Sequence, residues 1–198
     1  MHSRKLIAAV GLLVACHKPE PPAPPPVSIL LVTLDTTRAD AIGPEATEVV
    51  TPAFNELAKT SRRFVQAYTA VPQTLPSHTS MMTGLYPGGH GLHENGRYLS
   101  PTQPLVAERL RAAGYRTAAF VSAFAVARRF GLARGFDVYD DEMPEPRNER
   151  SARDTTDRVL GYLAKPSTQP LFLWVHYYDP HFPYEPPEPF RSRYAISP

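Results

Sequence analysis

The sequence predicts an α/β fold in which a mainly parallel sheet is sandwiched by helices. Two observations carry this. Short runs with strand character alternate along the chain with segments whose apolar residues recur at helical spacing, the order expected of βαβ units. The first such run, Val27 to Leu34, is almost wholly apolar, as a strand buried on both faces would be. An apolar content of 42% with 20% charged residues suits one sizeable core over 198 residues and excludes a disordered chain.

Ahead of that strand, Arg4 and Lys5 precede an apolar stretch from Leu6 to Ala15, which ends in Leu13-Val14-Ala15-Cys16. A basic start, a short apolar run and a small-residue ending read as an export signal, and the run is too short for a membrane-spanning helix. The ending resembles a bacterial lipobox, with residues 1–15 as signal peptide and Cys16 as the lipidated residue. Cys16 is the only cysteine, so no internal disulfide is possible. Residues 16–26 then form a proline-rich tether, an extended spacer between a membrane and a domain at 27–198. The expected location is the bacterial cell envelope, on the exported side. A net charge of +2 gives no basis for a nucleic-acid partner.

Within the domain, Thr51-Pro52 starts a helix that carries Phe54, Leu57, Ala58 and Ser61 on one side. Phe64 to Ala70 reads as a second strand. A short helix begins just after Thr74, favoured by Pro76 and closed by Gly84. Pro104 to Ala113 is helical by the spacing of Leu105, Val106, Ala107 and Leu110, with Gly114 at its end. Tyr115 to Ser122 is the next strand, and the acidic, proline-containing stretch from Asp137 to Arg147 is a surface loop. Ser151 and Asp154 open a helix whose Thr155, Val159, Leu160 and Leu163 share a face, and Leu171 to His176 is the last strand.

Three constellations carry chemistry. Asp35 follows the first strand, at the sheet edge where ligands of open α/β folds bind; it is a candidate metal ligand or a turn cap. Thr74 lies at a positive helix end, where a hydroxyl faces anions and a neighbouring metal would make it a nucleophile; the same position suits a helix cap. His176 and His181 flank Asp179 directly after the last strand, and such a group can bind metal, donate protons, contact an oxyanion or serve structure.

Together the segments ILLVTLDTTRAD, TPAFNELAKTSRRFVQAYTAVPQTLPSHTSMMTGLYPGGHG, LRAAGYRT and FLWVHYYDPHFPYEPP resemble the sulfatase branch of the alkaline phosphatase superfamily, from about Val27 to about Phe190. The resemblance implies an alkaline-phosphatase-like sheet and a metal-assisted displacement at sulfur or phosphorus. Asp35 and Thr74 would contact a divalent ion (zinc, manganese or calcium), and Thr74 would attack the ester. His181 would meet the transferred group or the leaving oxygen, and Ser77, His78 and His176 would bind substrate, with helix amides near Ser77 stabilising charge. The implied partner is a small-molecule, glycan or lipid ester of sulfate or phosphate.

Departures from the family pattern shift this expectation. Formylglycine sulfatases carry cysteine or serine where this chain has Thr74, and arginine where it has His78, so no formylglycine is expected. Thr36 stands in place of the second of the family's paired aspartates, and the lysine and histidine after the strand near Thr117 have no counterpart. Threonine nucleophiles occur elsewhere in the superfamily among zinc- or manganese-dependent phosphodiesterases and transferases, which favours phosphoryl over sulfuryl chemistry. The Asp-His pair that supplies further metal ligands in family members has no match after His181. Two readings follow: part of an exported ester hydrolase or transferase, truncated and inactive as it stands, with an unpaired sheet edge and poor solubility, or a catalytically dead lipoprotein with a binding role.

Overall fold

The computed structural model describes residues 26–194, so the signal, Cys16 and nearly all of the tether lie outside the described residues. Four strands form one parallel sheet: β1 (Ile29–Leu34), β2 (Arg116–Val121), β3 (Val138–Asp140) and β4 (Leu171–Tyr177), in the order β1-β4-β2-β3. Among the described residues six α-helices accompany them, besides short 3-10 turns: α1 (Pro52–Thr60), α2 (Thr74–Thr83), α3 (Pro87–His90), α4 (Val106–Ala112), α5 (Ala152–Leu163) and α6 (Phe190–Tyr194).

Alternation along the central strands separates two cores. Ala119 and Val121 of β2 and Phe172 and Trp174 of β4 point to one face, against Leu75 and Met82 of α2 and Ala107 of α4. Ala118, Phe120, Leu171, Leu173 and Val175 point to the other, against Val159 and Tyr162 of α5. The sheet is therefore covered by helices on both sides, as the alternating sequence pattern requires.

Three expectations are corrected. β1 is an edge strand and is not buried on both faces: Leu31 packs into the α2 side, whereas Leu30 is 63% exposed and Val32 is 47% exposed. Apolar composition reports only that a strand can be covered; α5 reaches β2 and β4 but leaves that part of β1 open. Phe64 to Ala70 is not a strand, because among the described residues no neighbouring strand offers it a ladder and its apolar side chains stay exposed. The stretch from Asp137 to Arg147 is not all loop. Val138–Asp140 pairs with β2 because the Tyr139 ring is buried with its hydroxyl donating to Val126 O at 2.6 Å, while Asp140 accepts from buried Arg150 at 2.6 Å.

Candidate active site

β1 and β4 run side by side with Thr33 opposite His176 and Leu34 opposite Tyr177, so their C-terminal ends present adjacent loops. The ladder continues one step beyond β1, with Asp35 N–H donating to Tyr177 O at 2.9 Å. Thr36 then adopts φ +50, a conformation costly for a β-branched residue, and its hydroxyl donates to Pro180 O at 3.0 Å. That turn ties the Asp35 loop to the segment carrying His181.

Helix α2 places Thr74. Gln73 occupies the cap position and Thr74 is the first helical residue, so the cap reading of its hydroxyl falls away. Gly84, at φ +74, closes the helix with its N–H on Ser80 O. The helix start has few spare donors: Leu75 N–H is taken by Asn95 Oδ1 at 2.8 Å, Pro76 has none, and Ser77 N–H donates to Gln73 O at 3.0 Å. The amides of Leu75 and Ser77, expected to face developing charge, are thus already partnered in this structure. In that turn only the Thr74 N–H is left without such a partner.

Asp35, Thr74, Ser77, His78 and His181 line one cavity of about 560 Å³. The Asp35 carboxylate is buried. Burial pushes its pKa up, but the hydrogen bond from His176 and the nearby His176 and His78 rings, with a smaller effect of Thr74, outweigh that and hold it below the ordinary carboxylate range. His181 stacks on Tyr178 with ring centroids 4.2 Å apart, and its Nδ1–H donates to Phe182 O at 2.6 Å, which leaves Nε2 for a ligand. His181 also borders a second cleft of about 470 Å³, walled by Glu149, Tyr178 and Tyr184 among others.

His176 does not line the cavity. It lies fully buried behind Asp35, with Nε2 at 3.3 Å from Asp35 Oδ2 and Nδ1 without a partner. His78 is buried as well, and burial together with the neighbouring His176 pushes its pKa down to about 4. Its Nδ1 lies 2.7 Å from Thr74 O and its Nε2 lies 3.1 Å from Thr33 Oγ1. Thr33, Trp174 and Asn95 take part in the site without having been singled out by motif. Nothing in their local sequence marks them, since their roles come from the β1–β4 register and from a loop that returns to α2.

A sequence profile of the sulfatase family matches residues 28–197. The chain belongs to the sulfatase family. It is similar to the ulvan-active sulfatase of Formosa agariphila, with 27% identity over 85% of this chain and 38% of that protein. Its fold is similar to the phosphonate monoester hydrolase of Agrobacterium radiobacter, with a TM-score of 0.72 and 18% identity, covering 86% of this chain and 44% of the other. It is likewise similar to an enzyme solved with its substrate D-glucosamine-2-N,6-O-disulfate, with a TM-score of 0.71 and 19% identity over 81% of this chain and 36% of that one. The sulfatase chain thus spans less than half the length of these relatives.

Members of the family generally use a divalent metal. Asp35 and Thr74 offer oxygen donors of the kind a hard divalent cation takes, placed in one cavity. Among the described residues no group of three or more His, Cys, Asp or Glu is arranged to hold an ion, so they amount to part of a shell.

Proposed function

We propose that this chain carries the nucleophile side of a metal-dependent ester hydrolase, or transferase, in which Thr74 attacks a sulfate or phosphate ester. The observation that carries the reading is the placement of Thr74. Its hydroxyl is not used as a cap, and it shares a cavity with a buried carboxylate held below its ordinary pKa and with His181. A divalent cation held by Asp35 and Thr74 would lower the pKa of the hydroxyl and take up charge on the transferred group. Thr74 Oγ, its proton passed to water in the cavity, bonds to phosphorus or sulfur while the bond to the alcohol oxygen breaks, and that oxygen takes its proton from the Nε2 side of His181. Water then attacks the Thr74 ester, restoring the hydroxyl and releasing the inorganic acid.

Phosphate esters are the preferred substrates on this reading, because a phosphorylated threonine is released by water. A sulfated threonine lacks the elimination route of a formylglycine hydrate, and no formylglycine is involved. The alcohol half would lie toward the cleft on the other side of His181, where Tyr178 and Tyr184 offer faces for a sugar or a similar ring. Relatives named for ulvan and for a sulfated glucosamine make a glycan ester a natural candidate. Two oxygen donors leave most of a cation's shell to other groups, so the 198 residues alone should turn over no ester. We also propose export to the bacterial envelope with anchoring through acylated Cys16.

The test pairs nitrophenyl phosphate with nitrophenyl sulfate. The substrates are given to this chain and to a form extended to the length of its relatives, each as wild type and Thr74→Ala, with mass spectrometry of the Thr74 peptide. Turnover of the phosphate by the extended form, with trapped phosphate on Thr74 and loss of at least a thousandfold in Thr74→Ala, is the expected result. Repeated turnover of the sulfate that survives Thr74→Ala refutes the mechanism. Absence of both turnover and metal from the extended form would leave a binding role.

A further inference from the structure

Two buried histidines adjoin the reacting pair, and each makes one hydrogen bond whose direction its partner fixes. An indole nitrogen only donates and a carbonyl only accepts. Trp174 Nε1–H lies 3.1 Å from Thr33 Oγ1, so that hydroxyl accepts from it. Thr74 O lies 2.7 Å from His78 Nδ1, so Nδ1 carries the proton. Thr33 Oγ1, already accepting from the indole, has one proton of its own to place, and His78 Nε2 at 3.1 Å is the acceptor that the Nδ1–H tautomer offers it. The result is a chain with one sense: Trp174 to Thr33, Thr33 to His78, His78 to the carbonyl of Thr74. Ser77 Oγ adds a second donor on that carbonyl at 3.2 Å.

His176 makes the matching contact to the other member of the pair. A carboxylate only accepts, so Nε2 carries the proton given to Asp35 Oδ2, and Oδ1 is left for a cation or a substrate. The cost is a buried Nδ1 with no partner, which packing does not explain and which an apolar residue would avoid. The two rings meet edge to face at 4.9 Å, so each limits the other's rotation.

We infer that His78 and His176 are positioning residues that hold Thr74 and Asp35 in register and do not touch the ester. The inference rests on the reading of Thr74 and Asp35 as the reacting pair. It replaces the substrate-binding role expected for both histidines from the sequence. It also accounts for His78 at a position where arginine stands in formylglycine sulfatases: a permanently charged guanidinium has no acceptor nitrogen to offer the Thr33 hydroxyl.

The decisive measurement needs no variant. Two-bond ¹H–¹⁵N spectra of the labelled full chain at neutral pH should show His78 as the Nδ1–H tautomer and His176 as the Nε2–H tautomer; the opposite tautomer at either ring overturns the inference. Thr33→Val keeps side-chain volume but removes the hydroxyl, and it should move the Trp174 indole resonance and raise the amide exchange rate of Ser77 at least tenfold. Thr33→Ser should restore both. In the extended, active form Thr33→Val should lower kcat at least tenfold with KM held within twofold. A tenfold rise in KM with kcat kept would make the histidines substrate ligands, and unchanged kcat together with unchanged exchange would make the chain of bonds incidental. Absence of turnover in wild type would count against the hydrolase reading alone, because the tautomer and exchange measurements stand without it.

Discussion

His78 shows how one buried ring couples the site to pH. Its pKa falls to about 4 in the folded chain, against 6.5 in an unfolded one. Between those values the unfolded chain binds a proton that the buried ring refuses, so stability is complete above pH 6.5 and declines as pH falls toward 4. Asp35, held below the ordinary carboxylate value, titrates beneath this window. Urea unfolding of His78→Asn, in which the amide nitrogen keeps a donor near Thr74 O, should lose less stability than wild type between pH 6.5 and 4.5. Parallel losses in the two proteins would show that another group governs the acid limb. Thr36 makes the complementary point about strain: a β-branched residue at φ +50 is tolerated because its hydroxyl is anchored on Pro180 O, beside the carboxylate it follows.

At the scale of elements, the helices are held by different devices. The hydroxyl of Ser151 accepts from Asp154 N–H at 3.1 Å and donates to the Asp154 carboxylate at 2.8 Å, a reciprocal cap that starts α5. This helix covers the Val159 side of the sheet, so its start matters to the second core. Ser151→Ala should cost about 1 kcal/mol in urea unfolding, and Ser151→Asp should recover most of it. A cost below about 0.3 kcal/mol would place the stability of α5 in its packing alone. Thr51 precedes α1 without capping it, since its hydroxyl accepts instead from Gly43 N–H at 2.9 Å. Gly135, at φ +83, lies where α4 comes so close that a Cβ would strike the backbone of Ala107 and Glu108.

For the whole molecule, the sheet has two edges among the described residues: β3, held by the Arg150–Asp140 pair and Tyr139, and β1, with Leu30 and Val32 exposed. No helix of the described residues is long and apolar enough to cross a membrane, and the acylation proposed at Cys16 lies outside those residues. Expression in a bacterial host with an alkyne-bearing palmitate should label the wild type and leave Cys16→Ser unlabelled. Equal labelling of both would remove the anchor from the account.

Much of this was legible along the chain because periodicity is local: the strands at Ile29, Arg116 and Leu171, the helix starting at Thr74 and the cap at Ser151 each follow from a few neighbouring residues. Their order and motifs were enough to identify the sulfatase family, and Asp35, Thr74 and His181, which they singled out, line one cavity in the structure. The sequence could not say that Phe64 to Ala70 lacks a partner strand, that Val138–Asp140 has one, or that β1 lies at an edge, because pairing depends on what arrives from elsewhere in the chain. Nor could it separate His181, which lines the cavity with Nε2 unused, from the buried His176 and His78, whose nitrogens serve Asp35, Thr33 and Thr74. A side chain's chemistry is set by its residue type, but the partner that uses its lone pair or proton is decided by tertiary neighbours, here by a β1–β4 register that brings Thr33 beside His176.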